Sequence, residues 1–318
     1  ARCRTMLSKE VQAKIALFGS VENDAVFASP NVETIYQLPL TLDQQGFGNI
    51  ISNKLNLPQR TPEWKPWNSI VDEFLHSTPN IHIAVCGKYT KLADSYISIN
   101  EALKIAAAVC QSAIHIDWIE TETIESKDPT SVLHQYDGIL VPGGFGERGT
   151  EGKIAAIQFA RISNIPFLGL CFGFQLAVVE YARNVCALTG ANSTEIYANT
   201  PHPVISLLPE QGTITYKGAT MRLGAYPITV IPGTLATQLY RVNTIYERHR
   251  HRFEVNPEYI PLLEKKGLKF SGTTEDKIRM EILELPSHYF YLATQFHPEF
   301  KSRPGRPGAA QLHQRLRQ

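Results

Sequence analysis

Apolar and polar positions follow two different rhythms along this chain, and the change comes near residue 80. Before it, residues 8–18 repeat apolar positions at helical spacing, with Ser8 placed as an N-cap and Glu10 four residues before Lys14. The stretch on to residue 57 breaks into short strand-like pieces. Pro58, Pro62 and Pro66, among Gln, Arg, Thr, Glu, Trp and Lys, have the composition of a linker. This predicts a small N-terminal segment over 1–57, a linker over 58–79 and a main domain over 80–301. In that domain apolar runs at 81–86, 114–119, 138–141 and 165–170 predict buried strands. Helical periods over 95–112, 152–163 and 174–183 fall between and after them, the last read as amphipathic. Strands and helices alternating in this way predict an α/β fold, a doubly wound and mostly parallel sheet with helices on both faces, whose ligands bind at the carboxyl ends of the strands. From 203 to 285 shorter strand-like segments follow, with turns expected at Gly212, Gly218, Gly224 and Gly233 and a helix over 257–266. An aromatic-rich strand at 289–295 comes last.

Composition narrows the classes. With 318 residues the chain has room for about two domains, and 31 basic against 30 acidic residues imply neither a nucleic-acid nor an acidic-lipid partner. Five scattered cysteines, an odd number without metal-ligand spacing, favour a reducing compartment, so a cytoplasmic location and no metal site are expected. The most apolar stretch, 165–182, is broken by Pro166, two glycines, Gln175 and Glu180, which argues against a membrane span. No G-x-x-x-x-G-K-[ST] phosphate loop occurs in the sequence. Residues 302–318, rich in Arg, Pro, Gly and Gln, are expected to be poorly ordered.

One stretch stands apart chemically. Gly169-Leu170-Cys171-Phe172-Gly173-Phe174-Gln175 puts a cysteine at a strand-to-helix turn framed by small residues, where a nucleophile is held up at the sheet edge and faces the positive end of a helix. A cysteine nucleophile needs a base and the base an orienting group. His297 and Glu299, two apart at the end of the last strand with Pro298 restricting the turn, fit those roles. The amide of Phe172 and the Gly143-Gly144 backbone after the third strand are candidates for an oxyanion hole. The Arg248-His249-Arg250-His251-Arg252 run reads by default as a solvated charged segment.

The motifs Pro142-Gly143-Gly144-Phe145-Gly146, Gly169 to Gln175 and Phe296-His297-Pro298-Glu299, in that order, resemble those of a class I glutamine amidotransferase domain, which is flavodoxin-like. Asn192-Ser193-Thr194-Glu195, Thr220-Met221-Arg222-Leu223-Gly224 and Glu247 to Asn256 look like the CTP synthase branch of that class. Residues 14–18 and 32–39 are similar to the tail of that family's ATP-dependent synthetase domain, so the chain is expected to begin near the end of that domain. The resemblance implies a triad of Cys171, His297 and Glu299 and oxyanion donors at Gly144 and Phe172. It also implies glutamine contacts at Phe145, Gln175, Glu195 (the α-ammonium) and Arg252 (the α-carboxylate). Nucleotide contacts would fall at Lys14, Pro30, Asn31 and Val32. No cofactor is implied for this chain itself; ATP, Mg2+ and the activator GTP are implied for the full-length enzyme. The partners it implies are L-glutamine, a synthetase domain binding UTP and ATP, and a tetramer. The pattern departs from the family at Ala219, where a second glycine is usual, and at Gly305-Arg306-Pro307-Gly308, where an apolar helix is expected. Two other functions compete: a stand-alone cysteine hydrolase of γ-glutamyl compounds, and a non-catalytic assembly or regulatory module.

Overall fold

The computed structural model describes residues 1–78, 80–88, 90, 92–208 and 221–308. The turns expected at Gly212 and Gly218, the departure at Ala219 and the tail over 309–318 lie outside the described residues. The described chain divides into two compact units, Ala1–Thr78 and Pro79–Gln318.

The first unit is helical. Ser8 caps α1 (Lys9–Gly19) as expected, its hydroxyl accepting from the Val11 amide. The strand-like pieces expected up to residue 57 are instead α2 (Leu38–Gln44) and α3 (Phe47–Lys54), joined through Gly46 at φ 79°. Pro39 lies in the first turn of α2, where a missing N–H costs nothing. The expected linker is corrected too: most of 58–79 is α4 (Lys65–His76). Its Trp67, Ile70, Val71 and Phe74 recur at i, i+3, i+4 and i+7, so one face packs within this unit. The Tyr36 ring stacks on Phe74 at 4.5 Å, and the Trp67 indole donates to the Tyr36 carbonyl at 2.7 Å.

The second unit is built on a nine-stranded sheet. Its chain order begins β1 (Asn80–Gly87), α5 (Ile97–Val109), β2 (Ala113–Glu120), α6 (Thr121–Ser126), α7 (Pro129–Leu133), β3 (Gly138–Val141), α8 (Thr150–Ile162), β4 (Phe167–Leu170) and α9 (Phe172–Asn184). The strands that follow are β5 (Ala191–Ser193), β6 (His202–Ser206), β7 (Arg222–Val230), β8 (Thr244–His251), β9 (Glu254–Val255), β10 (Lys269–Thr273), β11 (Met280–Glu284) and β12 (Tyr291–Thr294). The spatial order is β2-β1-β3-β4-β12-β11-β10-β7-β8. From β2 to β12 the pairing is parallel, and from β12 to β8 it is antiparallel. The strand order reverses between β1 and β3, the kind of switch point at which doubly wound sheets bind ligands.

Buried residues alternate across the parallel strands. Ala84, Cys86, Ile139, Val141 and Phe167 join the core under α8 and α9, while Ile83, Val85, Leu140, Leu168 and Leu170 join the core under α5. Helix α9 departs from the amphipathic expectation, since every residue from Phe172 to Ala182 is buried. A second sheet, β5-β6-β9, covers its outer side. Glu180 on this helix is fully buried and accepts a two-pronged ion pair from Arg161 of α8, at 2.7 and 2.9 Å. Gly224, expected at a turn, lies inside β7 at φ 98°. Of the tail expected to be disordered, Ser302–Gly308 is described, and Arg303 and Arg306 exchange backbone hydrogen bonds across a turn there.

Candidate active site

Four neighbouring strands end at one place. Lys88 follows β1, Gly143 and Gly144 follow β3, Cys171 follows β4 and His297 comes three residues after β12. A cavity of about 510 Å³ opens above these ends, and Cys171, His297, Glu299, Glu195, Arg252 and Phe145 are among its lining residues. Its size suits a small polar metabolite.

Cys171 is the N-cap of α9, with φ 52° and ψ −98°. A residue with a Cβ holds such a backbone only under compulsion, at a cost of about 1–3 kcal/mol. The compulsion is visible in the packing. The Cys171 amide donates to the Thr294 carbonyl at 2.7 Å, fixing the strand end. Gly173 next in α9 presses so closely on β3 that an added Cβ would meet the Val141 oxygen at 2.1 Å. The sulfur therefore points into the cleft, near the Arg250 carbonyl at 3.7 Å and the Gln295 amide nitrogen at 3.9 Å.

His297 faces this sulfur. Its backbone amide donates to the Arg248 carbonyl at 2.9 Å, its ring stacks on Phe300 at 4.8 Å, and Nδ1 pairs with Glu299 Oε1 at 2.8 Å. Burial pushes the imidazole down, yet its hydrogen bonds and charge interactions with Cys171 and Glu299 together outweigh that and bring it up to about 10. The charged imidazole favoured in this way is the form that can protonate a leaving group. The three triad residues expected from sequence are brought together.

The oxyanion candidates sit on the same side. Gly144 and Phe172 both line the cleft. A Cβ on Gly143 would stand 3.1 Å from His297 Cε1 and 3.6 Å from Cys171 Cβ, so bare backbone is required beside the reacting atoms. Of the expected glutamine contacts, Phe145 is exposed at the mouth, whereas Gln175 is buried at the back. The Gln175 amide nitrogen donates to the Phe253 carbonyl at 2.9 Å and to Gln295 Oε1 at 3.2 Å, while its Oε1 is a buried acceptor without a partner. Glu195 and Arg252 put opposite charges on one cavity wall. Burial pushes the Glu195 carboxyl up, against the Gly146 amide, Arg252 and Lys88, which favour its charged form. The expected nucleotide residues belong to the other unit: Lys14 is exposed on α1, and Pro30, Asn31 and Val32 follow in coil.

The segment read as solvated, 248–252, is corrected in part. All of it but Arg252 lies on β8, whose burial alternates residue by residue, so His249 and His251 face inward. His249 Nε2 pairs with Glu281 at 2.8 Å and His251 Nε2 with Glu254 at 2.9 Å, and Arg222 bridges both carboxylates. Arg248 and Arg250 on the other face are exposed as expected, so only the two histidines depart from the solvated reading, and their Nε2 atoms are met within the protein. Sequence reasoning missed Gln295, Lys153 and Lys88, which line or support the cleft. A lysine inside an apolar helical stripe was the available signal for Lys153.

Glu247, also inward on β8, is buried, and its Oε2 has no hydrogen-bond partner. Burial pushes its carboxyl up to about 7, with Glu299 adding to the effect and Lys301 and Tyr240 opposing it. A folded value above the unfolded 4.5 means the penalty is absent below that pH and complete once pH has risen past about 7. Glu247→Gln is therefore expected to raise stability at pH 8 by up to about 3 kcal/mol and to change it little at pH 4. Denaturant unfolding at the two pH values checks this.

Among the described residues no helix is long and apolar enough to cross a membrane, and no group of three His, Cys, Asp or Glu side chains is placed to hold a metal ion.

With the geometry in hand, comparison with known proteins is direct. The family model "Glutamine amidotransferase class-I" matches residues 91–313, and the model "CTP synthase N-terminus" matches residues 1–57. The chain is 52% identical to the CTP synthases of Thermococcus kodakarensis and Pyrococcus furiosus over 96% of its length. It spans 58% and 57% of the length of those curated relatives. Among solved structures it resembles the Trypanosoma brucei CTPS glutaminase domain with bound acivicin, at 37% identity and a TM-score of 0.70, covering 74% of this chain and 92% of that one. The cysteine elbow, the His297–Glu299 pair and these matches agree, and the chain belongs to the class I glutamine amidotransferases and, within them, to the CTP synthase family.

Proposed function

We propose that this chain hydrolyses L-glutamine and releases ammonia for the amination of UTP to CTP, the latter step needing sequence that this chain does not span. The observation that carries the first part is one cavity holding Cys171, the His297–Glu299 pair, and Glu195 and Arg252 with opposite charges. A zwitterionic amino acid fits that wall, its α-ammonium toward Glu195 and its α-carboxylate toward Arg252. The side-chain carboxamide then reaches Cys171. The sulfur attacks the amide carbon, and the oxygen takes up negative charge facing the amides of Gly144 and Phe172. His297 protonates the departing ammonia, Glu299 holding its tautomer and orientation. Water, deprotonated by His297, cleaves the γ-glutamyl thioester to give glutamate.

In this reading ATP, Mg2+ and UTP act in the synthetase domain, whose tail here would offer Lys14, Pro30, Asn31 and Val32 to a nucleotide, and GTP activates the full-length enzyme. On α1, Leu17 and Phe18 are 76% and 80% exposed, an apolar surface that the rest of that domain would cover. Assembly as a tetramer and a cytoplasmic location belong to the same proposal. The match of residues 1–57 to a CTP synthase segment favours it over a stand-alone γ-glutamyl hydrolase.

The test is incubation with L-glutamine, followed by measurement of glutamate and of intact mass after acid quench. Glutamate release with a γ-glutamyl adduct on Cys171 is expected; neither product nor adduct would leave the assembly-module reading standing. Glu195→Gln and Arg252→Gln are each expected to raise KM for glutamine by about 10- to 100-fold with a much smaller change in kcat, in steady-state assays, because their contacts persist from substrate to transition state.

A further inference from the structure

Lys153 is wholly buried, and the triad chemistry leaves it without a role. It reaches from α8 to the back of the cleft. There Nζ donates to the Pro142 carbonyl at 3.2 Å and lies 5.3 Å from the Phe172 ring centroid. A Cβ on Gly144 would stand 3.3 Å from the same nitrogen. One amino group therefore sits against the loop that carries Gly144 and against the side chain of Phe172, the two residues to which the glutaminase reading gives the oxyanion donors. From the end of β1, Lys88 holds the other side of this loop, its Nζ donating to the Phe145 and Gly146 carbonyls at 3.0 Å each. Three carbonyls of one short loop are thus tied to buried or nearly buried ammonium groups.

We propose that Lys153 is a positioning residue for the oxyanion hole: it pins the Pro142–Gly144 backbone beside Phe172 and lays a positive charge behind the oxygen that becomes negative when Cys171 attacks. The proposal rests on the glutaminase reading above. A purely structural role accounts poorly for this side chain, because an apolar residue would fill the space without the cost of burying a charge. That cost is evident here. Burial pushes the amine down to about 7, the neighbouring Lys88 adds to the effect, and only Cys86 and Cys171 favour the charged form. An amine at that balance, with the Cys171 sulfur favouring its charged form, is well placed to oppose negative charge that develops in the transition state.

Lys153→Met keeps the volume and removes the charge, and Lys153→Leu provides a second apolar variant should methionine pack poorly. Each is compared with the unmodified chain by thermal unfolding, by glutamine kinetics and by binding of a γ-aldehyde analogue of glutamine. The aldehyde's adduct on Cys171 carries an oxygen in the same hole. Expected are an equal or higher unfolding midpoint, KM within about 3-fold, and kcat and aldehyde affinity both lower by about 10- to 100-fold. Unchanged kcat and aldehyde affinity would overturn the proposal, as would a fall in kcat with aldehyde affinity intact or a fall explained by lost stability. If the unmodified chain neither releases glutamate nor binds the aldehyde, the glutaminase reading itself fails, and this inference with it.

Discussion

Cys171→Ala is expected to lower glutamate release from L-glutamine by roughly 10⁵-fold or more, while glutamine binding changes little. The reason is that no other group replaces the sulfur. His297 is oriented toward it, Gly144 and Phe172 line the same cleft, and among the described residues the next cysteine of β-strand origin, Cys86, is fully buried with its thiol pushed up to about 12 by burial. Alanine inherits the φ of 52°, so the elbow keeps its strain and the variant its fold. Measuring glutamate release in parallel with glutamine binding checks both halves. Release at an undiminished rate would place the nucleophile elsewhere and sink the mechanism.

Gly173→Ala is expected to destabilise the second unit by about 4 kcal/mol or more in denaturant unfolding. An added Cβ would lie 2.1 Å from the Val141 oxygen and 3.0 Å from its carbonyl carbon, both backbone atoms of the central strand β3. Neither can move without disturbing the pairing of β3 with β1 and β4. Relief would have to come from α9 lifting off the sheet, which carries Cys171 away from His297. Activity is therefore expected to fall together with stability. Gly48→Ala supplies the contrast: this residue lies in α3, a Cβ there would meet only Asp43 Oδ1 at 3.8 Å, and the change is expected to stabilise by about 0.5–1 kcal/mol.

Elements with a local cause can be read from the order of residues. The β1, β3 and β4 strands announce themselves because continuous apolar runs bounded by turns have one good solution in a doubly wound sheet, and Ser8 announces α1 because an N-cap hydroxyl acts within one turn. The Cys171 elbow was legible for the same reason, since glycine on either side of a cysteine at a strand end is a local steric requirement. Helix α4 was legible in the spacing of Trp67, Ile70, Val71 and Phe74, but Pro58, Pro62 and Pro66 suggested a linker; Pro66 is in fact tolerated in the first turn.

Long-range packing set the rest. That His249 and His251 turn inward depends on their carboxylate partners: Glu281 lies 32 positions from His249 and three strands away in the sheet, and Glu254, only three residues from His251, faces it because the chain turns back after β8. Helix α9 is buried on every side because β5, β6 and β9 fold over a face that periodicity alone cannot cover. The order β1-β3-β4-β12 gathers Lys88, Gly144, Cys171 and His297, residues up to 209 positions apart, because each lies at or just beyond a strand's carboxyl end and parallel neighbours point those ends the same way. Local chemistry singled out Cys171 and the His297–Glu299 pair as candidates; the sheet alone brings Gly143 and Gly144, the opposite charges of Glu195 and Arg252 and the buried Lys153 to one place, since long-range pairing sets which strand ends are neighbours.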